Sequence, residues 1–347
     1  MPETAEKELA RQIKNGELAP VYLIYGDEPY LKRTYVNRII SAAVTDFADI
    51  NLHRFDSSAK VDDICAAADA LPMLSERSCV VVRDFNFGAV NDKDAQRLSS
   101  VINEPNGACV LIFVYENAEL PQKSTKAKQI LADLKKSASC VCFAKRTERE
   151  LCDAACRRAA RLKVNLQPTV ARYLISRCGD DLENLLTEVD KLCDYAGAGS
   201  AVTEKEVDEI SVRTVEASAF RLGDAVCAGN RDEALSICSD LFDMRTDPLM
   251  IIGALSSVFV DLYRVKLAEA EGLRPESVGD DFGYGKSAFR LRRAAQAGRR
   301  MSQTAVYNAL EILRRADLSL KTSRADPRIV IERMTVELMR AVSGAGV

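Results

Sequence analysis

Five short apolar runs constrain this chain more than any other feature: VYLIY at Val21–Tyr25, NLHRF at 51–55, CVVVRDF at 79–85, CVLIFVY at 109–115 and CVCF at 140–143. Their hydrophobicity is mostly continuous rather than alternating, which a strand needs when both of its faces are covered, as in a parallel sheet wrapped by helices. The segments between them (29–44, 60–71, 91–103 and 124–136) are each long enough for the crossover helix that parallel strands require. Residues 1–143 therefore read as a doubly wound α/β domain.

After Phe143 the strand signal stops. Thr147 followed by Glu150, and Thr203 followed by Glu206, have the spacing of capping boxes, in which the hydroxyl takes an orphan helix amide and the carboxylate reaches back to the cap. Pro168 suits a first helical turn, Gly179-Asp180-Asp181 breaks and recaps the chain, and Leu182, Leu185, Leu186, Val189 and Leu192 form one apolar stripe. A small helical domain is expected over 144–211. A second all-α domain follows over 212–347, with breaks at Gly229-Asn230, Thr246-Asp247-Pro248, Gly272 to Gly285, and Asp326-Pro327. The 347 residues give room for two or three domains, and 6% aromatics with no Trp fit aliphatic helical cores.

The chain carries 48 Lys and Arg against 51 Asp and Glu, so any contact with a polyanion has to be local. The amphipathic start, MPETAEKELARQIKNGELAP, has no signal-like apolar run, and no stretch offers about 18 uncharged apolar residues, so a cytoplasmic protein without a membrane contact is expected. Eleven cysteines in a reducing compartment read as small buried hydrophobes. Cys140, Cys142, Cys152 and Cys156 cluster in sequence, but no CxxC pair closes a zinc knuckle, and no metal is expected. The lone His53 lies in a strand, without a nucleophile or carboxylate nearby in sequence.

An α/β domain invites a search for a phosphate loop after its first strand. There the chain reads Gly26-Asp27-Glu28-Pro29-Tyr30-Leu31-Lys32. A working loop needs glycines whose amides wrap phosphate, a Lys on the β/γ oxygens and a hydroxyl for Mg²⁺, whereas Asp27 and Glu28 would repel the ligand. The place is right and the chemistry is missing; a plain strand-to-helix turn capped by Asp27 accounts for these residues. Gly285-Lys286-Ser287 imitates the end of a phosphate loop, but Asp280 stands where its first glycine belongs. Ser176-Arg177-Cys178 spells a triplet that carries a trans-acting arginine in some clamp-loader ATPases; late in a helix, Arg177 is expected on the surface. No catalytic residue and no cofactor follow from the sequence.

Two stretches invite a partner. Lys286, Arg290, Arg292, Arg293, Arg299 and Arg300 fall in a window without an acidic residue, suited to DNA or to a subunit contact, or simply to a solvated helix face. Ala70-Leu71-Pro72-Met73-Leu74-Ser75 lies between a helix and a strand, where loops are normally polar. Leu71, Met73 and Leu74 either tuck onto the sheet or protrude as an apolar plug.

Taken in order, several elements resemble the delta-subunit family of the bacterial DNA polymerase III clamp loader. They are Gly26–Leu31 after the first strand, Leu120–Lys126 after the fourth, Gly179-Asp180-Asp181-Leu182 with Glu188, Lys191, Leu192 and Tyr195, Phe220–Ala225, Asp247-Pro248-Leu249, and Ala316–Thr322 followed by Ser323 in place of the usual Gly. The resemblance implies a RecA-like AAA+ domain without ATPase residues, a lid-like helical domain and a C-terminal collar that joins gamma/tau and delta prime subunits. It also implies contact with primed DNA inside that complex, and membership of a DNA polymerase holoenzyme without a catalytic site of its own. Above all it implies binding of the sliding clamp, with one clamp interface held open. The positions that match the family's clamp-binding pair, more often Leu-Phe, are Met73 and Leu74, with Leu71 beside them. The alternatives are an active P-loop ATPase and a stand-alone DNA-binding or scaffold protein.

Overall fold

The computed structural model describes residues 5–121, 124–212, 214–282, 284 and 289–343. It separates into two compact units, Met1–Lys145 and Arg146–Val347.

In the first unit, β1 (Val21–Tyr25), β2 (Leu52–Phe55), β3 (Ser78–Arg83), β4 (Cys109–Val114) and β5 (Ser139–Cys142) form one parallel sheet in the order β2-β3-β4-β1-β5. One face, with Val21, Leu23, Val80, Val82, Leu111 and Phe113, packs in a single core with α4 (Val61–Asp69), α5 (Asp92–Asn103) and α6 (Thr125–Ser137). The alternate residues Tyr22, Ile24, Val81 and Ile112 are equally buried. By the two-residue period they face the other way, where α2 (Pro29–Ala43) lies on the sheet and α1 (Glu6–Asn15) lies beside α2. Coverage on both faces is the physical reason for the unbroken apolar runs. A four-residue helix, α3 (Ala48–Asn51), leads into β2.

The second unit opens with α7 (Glu148–Arg161), capped by the Thr147–Glu150 box: the Glu150 carboxylate accepts from the Thr147 amide at 2.8 Å. It continues through α8 (Pro168–Cys178), α9 (Leu182–Ala196) and α10 (Glu204–Ile210), the last started by the Thr203–Glu206 box. Sequence reading missed β6 (Asn165–Leu166) and β7 (Ala201–Val202), a parallel ladder of two residues per strand, too short to leave a periodic signal. The chain then runs through α11 (Val215–Ala228), α12 (Arg231–Asp243), α13 (Pro248–Ala270), a 3-10 turn, α14 (Val278–Asp281), α15 (Phe289–Ala297), α16 (Gln303–Thr322) and α17 (Pro327–Val342). Asn230, Asp247 and Asp326 each cap a helix with a side-chain oxygen, and Pro248 and Pro327 sit in first turns, at the expected breaks.

By length and composition α13 is apolar enough to cross a membrane. Here Ile251, Ile252, Leu255, Phe259, Leu262 and Val265 are core residues among α11, α12, α16 and α17. Gly223 of α11 faces it so closely that a Cβ there would lie 3.0 Å from Val258.

Arg177 is not on the surface as expected. It is buried, donating to Ser211 Oγ at 3.0 Å and to the Asp208 carboxylate, and its carbonyl accepts from the Thr214 amide at 3.2 Å. Glu188, also buried, accepts from the Val212 amide at 3.1 Å and pairs with Lys191 at 2.7 Å. Together they anchor Ser211, Val212 and Thr214, which lie between α10 and α11. A buried guanidinium and a buried carboxylate are tolerated because each is hydrogen-bonded.

Candidate partner-contact site

Because all five strands run the same way, their C-terminal ends share one edge of the sheet and their starts share the other. In an open α/β sheet the C-terminal edge, where the strand order reverses, is the usual ligand crevice. Here that reversal lies between β1 and β4, beside the Gly26–Lys32 turn.

At this edge two charged side chains bond to the chain's own backbone. The Lys32 side chain is 3% exposed, and its ammonium donates to three carbonyls: Gly26 and Tyr115 at 2.7 Å each and Glu116 at 3.1 Å. The lysine thus joins the ends of β1 and β4. Burial pulls its pKa below the usual value, while Asp27, Asp84, Glu116 and Glu28 favour the charged form. One strand over, the Asp84 carboxylate accepts from the amides of Glu116, Asn117 and Ala118 at 2.8, 3.1 and 3.2 Å. These amides form a ready anion nest, and a side-chain anion occupies it. Gly26 is required by the turn: its φ is +112°, and a Cβ there would meet the Phe143 carbonyl oxygen at 2.4 Å. The helix cap is Glu28 rather than Asp27, with Pro29 in the first turn and no side-chain cap bond, so Asp27 does not play the expected part.

The opposite edge is open. Between α4 and β3, Leu71 is 79%, Met73 59% and Leu74 78% exposed, so the three protrude rather than tuck onto the sheet. The loop that carries them is nevertheless fixed. The Asn106 amide nitrogen lies 3.3–3.4 Å from the carbonyls of Ala68, Asp69 and Ala70, closing the C-terminus of α4. Asn51 accepts from the Met73 amide at 2.8 Å and donates to the Met73 carbonyl at 2.9 Å. Leu74 has a left-handed backbone, φ 54°, a conformation that bulky residues rarely take.

The basic stretch is less available than its sequence implies. Arg290 pairs with the buried Asp261 at 3.0 Å and lies 5.4 Å over the Phe220 ring; Arg293 pairs with Asp224. Tyr284 donates to Asp261 and accepts from Arg264 at 2.6 Å. Arg292 and Arg293 are nevertheless exposed on α15, as are Arg299 and Arg300 beyond its end. Lys286, and with it the imitation phosphate loop at 283–287 apart from Tyr284, lies outside the described residues. Among the described residues no group of three or more His, Cys, Asp or Glu is placed to hold a metal.

A parallel α/β unit in the strand order β2-β3-β4-β1-β5, in a chain that continues into a mostly helical unit, defines a protein of AAA+-like fold. Family models bring it nearer: "DNA polymerase III, delta subunit" matches residues 22–144, and "DNA polymerase III delta subunit, C-terminal domain" matches 216–338. The chain belongs to the DNA polymerase III delta-subunit family, the clamp-loader delta subunits. It is 26% identical over 340 residues to DNA polymerase III subunit delta of Bacillus subtilis, covering 95% of this chain and 96% of the relative. It is 24% identical over 336 residues to a probable DNA polymerase III subunit delta of Aquifex aeolicus, covering 92% and 89%. The solved Bacillus subtilis DNA clamp loader delta protein shares the fold, with a TM-score of 0.73, 24% identity and coverage of 96% and 99%.

Proposed function

We propose that this delta subunit binds the sliding clamp through Met73 and Leu74, with Leu71 at their side, and holds one clamp interface open for loading on primed DNA. The observation that carries the reading is the loop at the strand-start edge: three large apolar side chains project into solvent while Asn51 and Asn106 fix their backbone. A preformed apolar plug loses little conformational freedom on entering a pocket. Such a plug can favour an open clamp without hydrolysing anything, provided that it binds the open form better than the closed one.

The chain has no ATPase role in this reading. Lys32 is spent on backbone carbonyls, and Asp27 and Glu28 stand in the turn where a phosphate loop needs unopposed amide donors, which speaks against the alternative of an active P-loop ATPase. ATP then acts through neighbouring subunits of the polymerase III assembly, gamma/tau and delta prime, joined through a collar over 212–347, with 144–211 as a lid-like domain. In that assembly Arg292, Arg299 and Arg300 are exposed members of the basic stretch that suit DNA or a subunit, and the protein works in the cytoplasm, at the nucleoid. The test is co-purification of the full chain with the sliding clamp, with and without Met73→Ala and Leu74→Ala. Undiminished capture by the double variant sinks the assignment.

A further inference from the structure

The Met73 loop does not stand alone at its edge of the sheet. Phe47 and Ile50, in the turn that forms α3, are 54% and 46% exposed, although neighbouring Asp46 and Asp49 show that the segment faces water. Phe47 shares the oddity of Leu74: its φ is 51°, so a bulky apolar residue takes a left-handed backbone while leaving its side chain in solvent. Each of these is unfavourable by itself, and a fold keeps such positions where the strain serves a contact.

The two turns meet at a single side chain. Asn51 is 1% exposed, and its amide nitrogen donates both to the Phe47 carbonyl at 3.2 Å and to the Met73 carbonyl at 2.9 Å, while its oxygen accepts from the Met73 amide at 2.8 Å. The backbones bearing Phe47 and Met73 therefore lie within hydrogen-bond reach of the same atom. Exposed acidic residues flank both turns in sequence: Asp46 and Asp49 beside one, Asp69 and Glu76 beside the other. With Arg77 the one basic residue beside them in the Leu71–Arg77 loop, exposed apolar side chains flanked mainly by acidic residues suit a protein partner better than a nucleic-acid backbone.

We infer that the Phe47–Ile50 turn and the Leu71–Leu74 loop form one bipartite apolar foot for the sliding clamp, with Asn51 as the positioning residue that sets the two parts in register. The inference rests on the clamp-binding reading above, and continuity through Asn51 is what assigns both turns to the same occupant. Asn51 touches no partner in this scheme; it raises the fraction of molecules whose loop is ready to dock, and apparent affinity scales with that fraction.

The experiment measures association and dissociation of the full-length protein on immobilised sliding clamp from the same bacterium. Loss of a positioning residue falls on the association rate: Asn51→Ala lowers it about tenfold and changes dissociation by less than about twofold, while hydrogen exchange quickens at the Met73 amide and not in β3. Loss of a contact falls on dissociation: Phe47→Ala with Ile50→Ala, both surface changes, speeds it about fivefold or more. That surface pair carries the test even where Asn51→Ala does not fold. Wild-type kinetics for the surface pair, alongside lost binding by Met73→Ala/Leu74→Ala, overturn the bipartite foot and leave the clamp reading standing. Wild-type binding by Met73→Ala/Leu74→Ala removes both. If the surface pair instead dissolves a homodimer of the free chain and leaves clamp kinetics unchanged, the foot belongs to a second copy and the inference fails.

Discussion

The two edges of one sheet handle exposed chemistry in opposite ways. At the C-terminal edge Lys32 and Asp84 turn inward, and each is satisfied by three backbone groups. At the strand-start edge, about 20 Å away along a six-residue strand, Asn51 and Asn106 satisfy the backbone so that apolar side chains can face outward. In both places polar side chains bond to main chain. At one edge the result closes a pocket, and at the other it holds a protrusion. Under the clamp-binding proposal, the first arrangement takes the place of a ligand site and the second prepares one for a protein partner.

That contrast breaks if changes at the two edges have similar consequences. The largest effect is expected from Met73→Ala with Leu74→Ala: clamp affinity falls by at least about a hundredfold. Stability, followed by urea unfolding, stays within about 0.5 kcal/mol of the parent, since exposed side chains contribute little to it. Lys32→Met does the reverse. Three carbonyls lose a charged donor, so the first unit loses about 3 kcal/mol in the same unfolding experiment, while clamp binding by the remaining folded protein is unchanged. Equal losses of binding from both variants would falsify the division of labour.

Asn106→Ala sharpens the comparison on a smaller scale. Its three long bonds to the end of α4 are worth about 1 kcal/mol together, and their loss loosens the loop enough to lower clamp association a few-fold. Smallest of all is the response to nucleotide: calorimetry with ATP is expected to show no binding heat for the parent or for Lys32→Met, because Asp27 and Glu28 still repel phosphate at the turn after β1. Micromolar affinity in either protein contradicts this account of the turn.

The sheet was legible because burial on both faces writes continuous apolar runs, and the capping boxes were legible because they are local. What escaped depends on partners distant in sequence. Arg177 looked like a surface residue because Ser211 and Asp208, which bury it, come from another helix end more than thirty positions later. The Gly26–Lys32 turn was read for what a phosphate loop lacks, and Lys32 went unnoticed as a lysine with carbonyls to satisfy just beyond β4. Phe47 and Ile50 did leave a signal, two large apolar residues set among Thr45, Asp46, Ala48 and Asp49, which becomes meaningful only once Asn51 is seen to join them to Met73.

The placement of α13 has a consequence for synthesis. Its apolar surface is covered in part by α16 and α17, which leave the ribosome later. Until at least 50 further residues have emerged, Phe259, Leu262 and Val265 lack part of their cover. A nascent or truncated chain ending before Gln303 therefore leaves the α16 and α17 side of this apolar helix uncovered, so the exposure that invites aggregation belongs to synthesis and not to the finished subunit.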